Sequence, residues 1–406
     1  MPQGTIEQLI TDVRDGKQVS IVDLVNHLLE YAYDMHASDI HIDPLSDMVR
    51  VRMRIDGVLQ TVFTLPKEVH AEVISRIKVI AGLRIDEHNA AQDGRFRVML
   101  DGQPIDIRVS IAPTYHGENV VLRLLSDRSA DFTLERLGFS ANDQRKIRKA
   151  ITKTSGMVLA TGPTGSGKTT TLYALLKELN TEEVSIVTIE DPIEYAVDGI
   201  RQIQVNTQTN LTFAKGLRSI LRQDPNIVMV GEIRDTDTAE IAVNAALTGH
   251  LLLSTLHTND AATTLPRLFD MGVEPYLVAS TVNVAIGQRL VRKICEQCRT
   301  THRITDAEAA SLSEVLPEGT VHAGMEVTRG QGCERCSGRG YQGRISVNEV
   351  LVMNNDIREA ILRKASAREI KDIAIKNGMT TMIEDGFEKV RAGVTSIEEV
   401  LRVIHE

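Results

Sequence analysis

Apolar positions change their period along this chain, and the change divides it. Behind Ser20, a residue suited to cap a helix, Val22, Val25, Leu28, Leu29 and Ala32 recur at helical, core-facing spacings. Residues 38–43 and 49–55 then alternate, the second segment setting Val, Met and Ile between arginines, and Asp56-Gly57 supplies a two-residue hairpin turn into 58–65. The spacing of Val69, Val73, Ile77, Val79 and Ile80 predicts an amphipathic helix over 67–83. Three further strands follow at 94–100, 105–111 and 120–125, the first two joined by Asp101-Gly102. Residues 1–125 thus read as an α+β domain on an antiparallel sheet. Residues 126–135 read as a linker, polar and aperiodic over 126–131.

Beyond residue 136 the pattern becomes strand then helix, repeated. A helix over 142–151 precedes short β-branched runs at 157–160, 185–189, 227–230 and 251–255, with helical patterns at 170–179, 213–221 and 238–247 between them. That is the signature of a parallel sheet wrapped by helices, an α/β core placed at 136–290. A cysteine-bearing segment occupies 291–345. The rest, 346–406, is a C-terminal helical region with Gly378 and Gly393 as stops. At 406 residues, 42% hydrophobic and 25% charged, the composition is that of a folded protein of two or three domains. No apolar run approaches the ~20 residues needed to span a bilayer, and no secretory signal is visible, so a cytoplasmic protein is expected. The net charge of −9, the absence of Trp and an aromatic content of 3% argue against a general nucleic-acid binder.

The strongest chemical signal joins the first β-branched run of that core to its helix. Gly162, Pro163, Thr164, Gly165, Ser166, Gly167, Lys168 and Thr169 spell the phosphate-binding pattern G-x-x-x-x-G-K-[ST] in a strand-loop-helix setting. Its glycines let the backbone turn its N–H groups inward beneath the positive end of a helix that continues through Thr170. Lys168 would reach the β- and γ-phosphates of a nucleoside triphosphate, and Thr169 would set its hydroxyl on Mg²⁺. Hydrolysis further needs a carboxylate near the metal and a group to orient water, and Glu190 and Glu232, at or beside predicted strand ends, are the two candidates. His250 and His257 flank one strand and are taken as adjacent to the site. Finally, Cys295, Cys298, Cys333 and Cys336 form C-x₂-C-x₃₄-C-x₂-C, four thiolates able to close a structural tetrahedral Zn²⁺ site.

In this order, the phosphate loop, the 190–194 box (Glu-Asp-Pro-Ile-Glu), the 231–235 box (Gly-Glu-Ile-Arg-Asp) and the histidine-bearing box from 248 to 260 resemble the ATPases of type II secretion and type IV pilus assembly. Segments 37–42, 54–57 and 92–95 look like that family's second N-terminal domain. The resemblance implies a PAS-like α+β domain followed by a RecA-like motor with a tetracysteine zinc module and helical C-terminus. It implies a homo-hexameric ring, peripheral to the inner membrane, that hydrolyses ATP to ADP and phosphate and works on a membrane platform protein. It casts Glu190 as the water-activating residue, Glu232 at Mg²⁺ and His257 as a coupling residue, and looks to Arg95, Arg108 or Arg123 for a guanidinium at the γ-phosphate. The division of labour between the two glutamates and the choice among the arginines stay open. The cysteines resemble the assembly branch, from which this chain would depart by lacking a further N-terminal docking domain. A nucleoprotein or DNA export motor of the same superfamily is the alternative.

Overall fold

The computed structural model describes residues 4–15, 17, 19–125, 132–314, 316 and 319–405. Residues 126–131, the heart of the expected linker, lie outside that set. The chain divides into two compact units, residues 1–128 and 129–406. Among the described residues no helix is long and apolar enough to cross a membrane.

In the first unit, helices α1 (Gly4–Arg14) and α2 (Ile21–Asp34) lead into strands β1 (Ala37–Pro44), β2 (Met48–Ile55) and β3 (Val58–Pro66). Helix α3 (His70–Ala81) then precedes β4 (Gln92–Leu100), β5 (Gln103–Thr114) and β6 (Gly117–Leu125). The six strands form one antiparallel sheet in the order β3-β2-β1-β6-β5-β4. Both Asp-Gly turns adopt the left-handed backbone that a tight hairpin requires, with φ of 52° and 87° at Asp56 and Gly57 and 48° and 73° at Asp101 and Gly102. The Ser20 hydroxyl caps α2 by accepting the Asp23 N–H.

Two core assignments need correction. Val22 is 43% exposed while Leu24 is buried, and in α3 Val79 is 59% exposed. The reason is phase: Val73, Ile74, Ile77, Lys78 and Ala81 make the inward stripe of α3, and Val79 falls on the opposite side. Helix α1, which has no counterpart in the sequence reading, places Ile6, Ile10 and Val13 in the same core.

Lys78 occupies a core position only because its charge is matched. Its Nζ lies 2.7 Å from the Glu118 carboxylate and donates to the Glu87 carbonyl at 2.6 Å, while His88 Nδ1 sits 2.8 Å from the other Glu118 oxygen. Burial raises the Glu118 carboxyl, but His88 and Lys78 outweigh it and hold the group below its usual range. This pair therefore stabilises the unit at neutral pH and loses its contribution as pH falls through the depressed value.

The second unit opens with α4 (Leu134–Leu137) and α5 (Ala141–Ile151). Its frame then runs β7 (Gly156–Thr161), α6 (Lys168–Leu179), β8 (Ile186–Glu190), β9 (Arg201–Gln204), α7 (Phe213–Ile220), β10 (Ile227–Val230), α8 (Thr236–Leu247) and β11 (Leu251–Leu256). After α9 (Thr264–Asp270) and α10 (Pro275–Thr281) come β12 (Val282–Ile294), β13 (Arg299–Arg303), α11 (Asp306–Ser313), β14 (Glu326–Gly330) and β15 (Tyr341–Val352). Four helices close the chain: α12 (Asn355–Leu362), α13 (Ala367–Lys376), α14 (Met382–Arg391) and α15 (Ile397–His405).

Seven strands line up as β15-β12-β7-β11-β10-β8-β9, parallel except for β15. Alternate residues of β7 feed two cores, Met157 and Leu159 one, Val158 and Ala160 the other, so the sheet is covered on both faces. The α/β class expected from the alternating pattern is what the chain adopts. Strands β12 and β15 extend the sheet, and the cysteine segment is an excursion between them, built on the antiparallel β13-β14 pair and α11.

Glu118→Ala is expected to lower the stability of the first unit by about 3 kcal/mol, since it strands a buried ammonium, whereas the joint change Lys78→Met with Glu118→Leu should cost much less. Urea unfolding of the full chain, followed by amide exchange in β1 and β6, checks both.

Candidate nucleotide site and metal centre

Strand β7 delivers the chain into the phosphate loop, and α6 begins at Lys168. Gly162, Gly165 and Gly167 take φ of 145°, 79° and 89°, a run of backbone that side-chain-bearing residues rarely adopt. Space forbids substitution too: a Cβ on Gly162 would collide with the Gln288 carbonyl, and one on Gly167 would lie 2.8 Å from Gln288 Nε2. The Lys168 ammonium donates to the Gly162 and Pro163 carbonyls at 2.8 and 2.9 Å. Burial lowers its pKa to about 8, against the attraction of Glu232. Two buried polar groups, Ser166 Oγ and Gln288 Nε2, have no hydrogen-bond partner. Both lie by the loop glycines, so the loop offers uncommitted donors and a lysine whose present acceptors a phosphate oxygen would replace. These residues fit a nucleotide.

The two candidate glutamates have different surroundings. Glu232 follows β10 by two residues, is mostly buried, and its Oε2 meets Arg234 Nε and, at 3.1 Å, His257 Nε2. It is the carboxylate whose charge acts on Lys168. Glu190 ends β8, buried, and is held by three donors: the Tyr173 hydroxyl, the Thr188 hydroxyl at 2.5 Å and Gln202 Nε2 at 3.2 Å. The same burial and the Glu190 charge push the Tyr173 phenol upward. Thr169 and Thr170 sit on the first turn of α6.

His257 joins this group, but His250 does not. The two lie at opposite ends of β11, and His250 Nδ1 is 3.0 Å from the Ala245 carbonyl at the end of α8. Residues flanking one six-residue strand are separated by about 20 Å, so only one of them can meet the phosphate loop.

The three candidate arginines belong to the first unit, where the strand register aligns them. Arg95 pairs with Arg108 and Arg108 with Arg123, so one guanidinium from each of β4, β5 and β6 stands in a single row across the sheet. Asp39, buried on β1, continues the row, accepting from Arg123 Nε at 2.9 Å and facing Arg54 Nε at 3.4 Å.

Cysteines 295 and 298 follow β12, and 333 and 336 precede β15. Their sulfurs all lie within 4.8 Å of one another, with Sγ···Sγ distances of 3.8 Å for Cys295–Cys333 and Cys298–Cys336 and 3.7 Å for Cys333–Cys336. None is in a disulfide. A regular tetrahedron with Zn–S bonds of about 2.3 Å has edges of about 3.8 Å, so the four thiols fit zinc. Although burial opposes it, N–H donors from Cys333 and Gly340 bring the Cys336 thiol down to about 6.

Gln288, Tyr173 and Gln202 went unread in the sequence, and Arg234 was read only as a member of its box. Gln288 carries the clearest role, since its Oε1 accepts from Thr171 on α6 at 2.8 Å while its carbonyl blocks Gly162.

Comparison with known proteins gives one answer. The family model described as "Type II/IV secretion system protein" matches residues 14–402. The type II secretion system protein E of Xanthomonas campestris pv. campestris is 46% identical over 400 residues, 98% of this chain and 70% of that protein. The type IV pilus assembly ATPase PilB of Thermus thermophilus is 46% identical over 377 residues, covering 93% of this chain and 42% of PilB. Among solved structures, the Legionella pneumophila ATPase DotB superposes with a TM-score of 0.68 at 22% identity, over 94% of this chain and 95% of that one, a likeness of fold.

Gly162→Ala is expected to abolish nucleotide binding while leaving the far-UV spectrum unchanged, because the new methyl group meets backbone from β12 and the φ is strained. Titration with a fluorescent ATP analogue measures it.

Proposed function

Because the chain belongs to the type II/IV secretion system protein family, we propose that it is the ATP-hydrolysing motor of a secretion or pilus-assembly machine. The observation that carries this reading is the phosphate loop with unpaired buried donors beside Lys168, Glu232 and His257. Lys168 leaves the loop carbonyls and takes the β- and γ-phosphate oxygens, with the loop N–H groups and the α6 N-terminus holding the rest of the tail. The Thr169 hydroxyl and the Glu232 carboxylate would hold Mg²⁺, which would supply positive charge against the phosphoryl oxygens. Glu190, fixed in one orientation by Tyr173, Thr188 and Gln202, orients the attacking water. His257 couples the site to its surroundings through Glu232.

The arginine row supports a ring. A transition state with charge spread over phosphoryl oxygens is stabilised by guanidinium groups, and Arg95, Arg108 and Arg123 stand together on one sheet face of the first unit. In the proposed homo-hexamer one of these three guanidiniums serves the γ-phosphate of a bound nucleotide, and the ring does work on a platform protein of the inner membrane. The protein acts on the cytoplasmic side of that membrane. Zinc on the four thiolates is structural, since a closed tetrahedral site leaves no open position.

Phosphate release from ATP, measured with Mg²⁺ over a protein dilution series, tests the reading. Lys168→Ala and Glu232→Gln should each lose at least about a hundredfold in kcat. Unchanged turnover in Lys168→Ala overturns it. A second expectation follows from the depressed lysine: the phosphates bind the ammonium form, so ATP affinity should weaken as pH rises above about 8, and this dependence should vanish in Lys168→Arg. Elemental analysis should find one zinc per chain, lost in Cys336→Ser.

A further inference from the structure

The loop between β11 and α9, residues 257–263, touches the nucleotide site twice. His257 meets Glu232 at 3.1 Å. Thr258 is pinned to Thr161, the last residue before the phosphate loop: its N–H donates to Thr161 Oγ1 at 3.2 Å, and the Thr161 hydroxyl donates to the Thr258 carbonyl at 3.1 Å. The position of this loop therefore sets both the histidine and the base of the phosphate loop.

Its other end is held by charged groups from distant parts of the chain. Glu349 on β15 is wholly buried, and its Oε1 accepts the Ala261 N–H at 2.7 Å. Lys371 on α13 donates to Asp260 Oδ2 at 3.1 Å and lies 4.0 Å from Glu349 Oε2, an oxygen with no hydrogen-bond partner. Asp260 Oδ1 in turn accepts the Thr263 N–H at 2.8 Å. Burial pushes the Glu349 carboxyl up, and Lys371 and the Ala261 N–H pull against it. Asp260 also faces burial, yet the Thr263 donors and Lys371 hold it below its usual range.

An apolar group at these positions would pack α13 onto the same core that already takes Ile370 and Ala374. Two carboxylates and one ammonium are instead gathered at the loop that carries His257. We propose that Lys371 and Glu349 are positioning residues for the nucleotide site, fixing the 257–263 loop through Asp260 and Ala261 so that the C-terminal helices govern turnover. The inference rests on the ATPase reading above.

Lys371→Met, Lys371→Arg and the joint change Lys371→Met with Glu349→Gln test it in the full chain. Lys371→Met should lower kcat about tenfold, the scale of lost orienting partners, with KM for ATP within about twofold. Lys371→Arg should restore most of the loss. The joint variant removes the Lys371 ammonium together with the buried Glu349 charge and should regain the wild-type melting temperature yet stay slow, because Asp260 still lacks its partner. Amide exchange over 257–264 should quicken in Lys371→Met. Wild-type kcat in Lys371→Met, or turnover that returns with stability in the joint variant, overturns the proposal, as does loss of turnover matched by equal loss of folded protein throughout. If the unmodified chain released no phosphate, the ATPase reading would fail instead. Exchange over 257–264, quickened or unchanged, would still decide whether Lys371 holds the loop.

Discussion

The phosphate loop lies against a strand, and that contact orders the second unit. Gly162 and Gly167 are glycine where β12 passes, and Gln288 fills the space their side chains would take. The same strand continues outward to other duties. Arg292 pairs with Glu399 of α15 at 2.7 Å and accepts from Thr395 through its carbonyl, and the cysteine excursion begins at Cys295, directly after the last β12–β15 pair, Ile294 with Tyr341. One thirteen-residue strand thus carries the floor of the phosphate loop, the anchor of the last helix and the root of the cysteine cluster.

This arrangement also explains what could be read in advance. Segments whose local chemistry demands one backbone were legible: the glycines of the phosphate loop, the two Asp-Gly turns, the Ser20 cap and the β-branched runs of the parallel sheet all took the form their residues require. Strand β15 was not legible as a buried strand, because Ser346, Asn348 and Glu349 break its apolar pattern. Each is buried all the same, for each side chain finds a partner: Ser346 the Leu137 carbonyl, the Asn348 amide the Gly138 carbonyl and the Ser346 hydroxyl, Glu349 the Ala261 N–H. Polar burial of this kind depends on partners supplied by other elements of the fold, and spacing along the chain carries no trace of it.

The candidate site was legible to the same degree and for the same reason. Loop, glutamates, His257 and cysteines announce themselves by type and order, whereas Gln288 and Tyr173 act through contacts across the fold. His250 shows the converse error. Proximity in sequence placed it beside His257, but an extended strand carries its two flanks apart.

The cysteine cluster shows how local closure and shared packing divide the work. Among the described residues, the excursion between β12 and β15 buries Ile304, Leu316 and Val327 in a core with Val291, Val347 and residues of α14 and α15, and Ala309, Leu312, Val321 and Met325 pack against it partly buried. At the strand ends the four cysteine sulfurs come together, with the Cys295 N–H donating to the Gly340 carbonyl and Cys336 Sγ accepting two N–H groups. Zinc would therefore fix the junction of the excursion with the sheet, while the shared core holds its far end to α14 and α15. Since β12 also bears Gln288, rigidity at that junction bears on the strand that forms the floor of the phosphate loop.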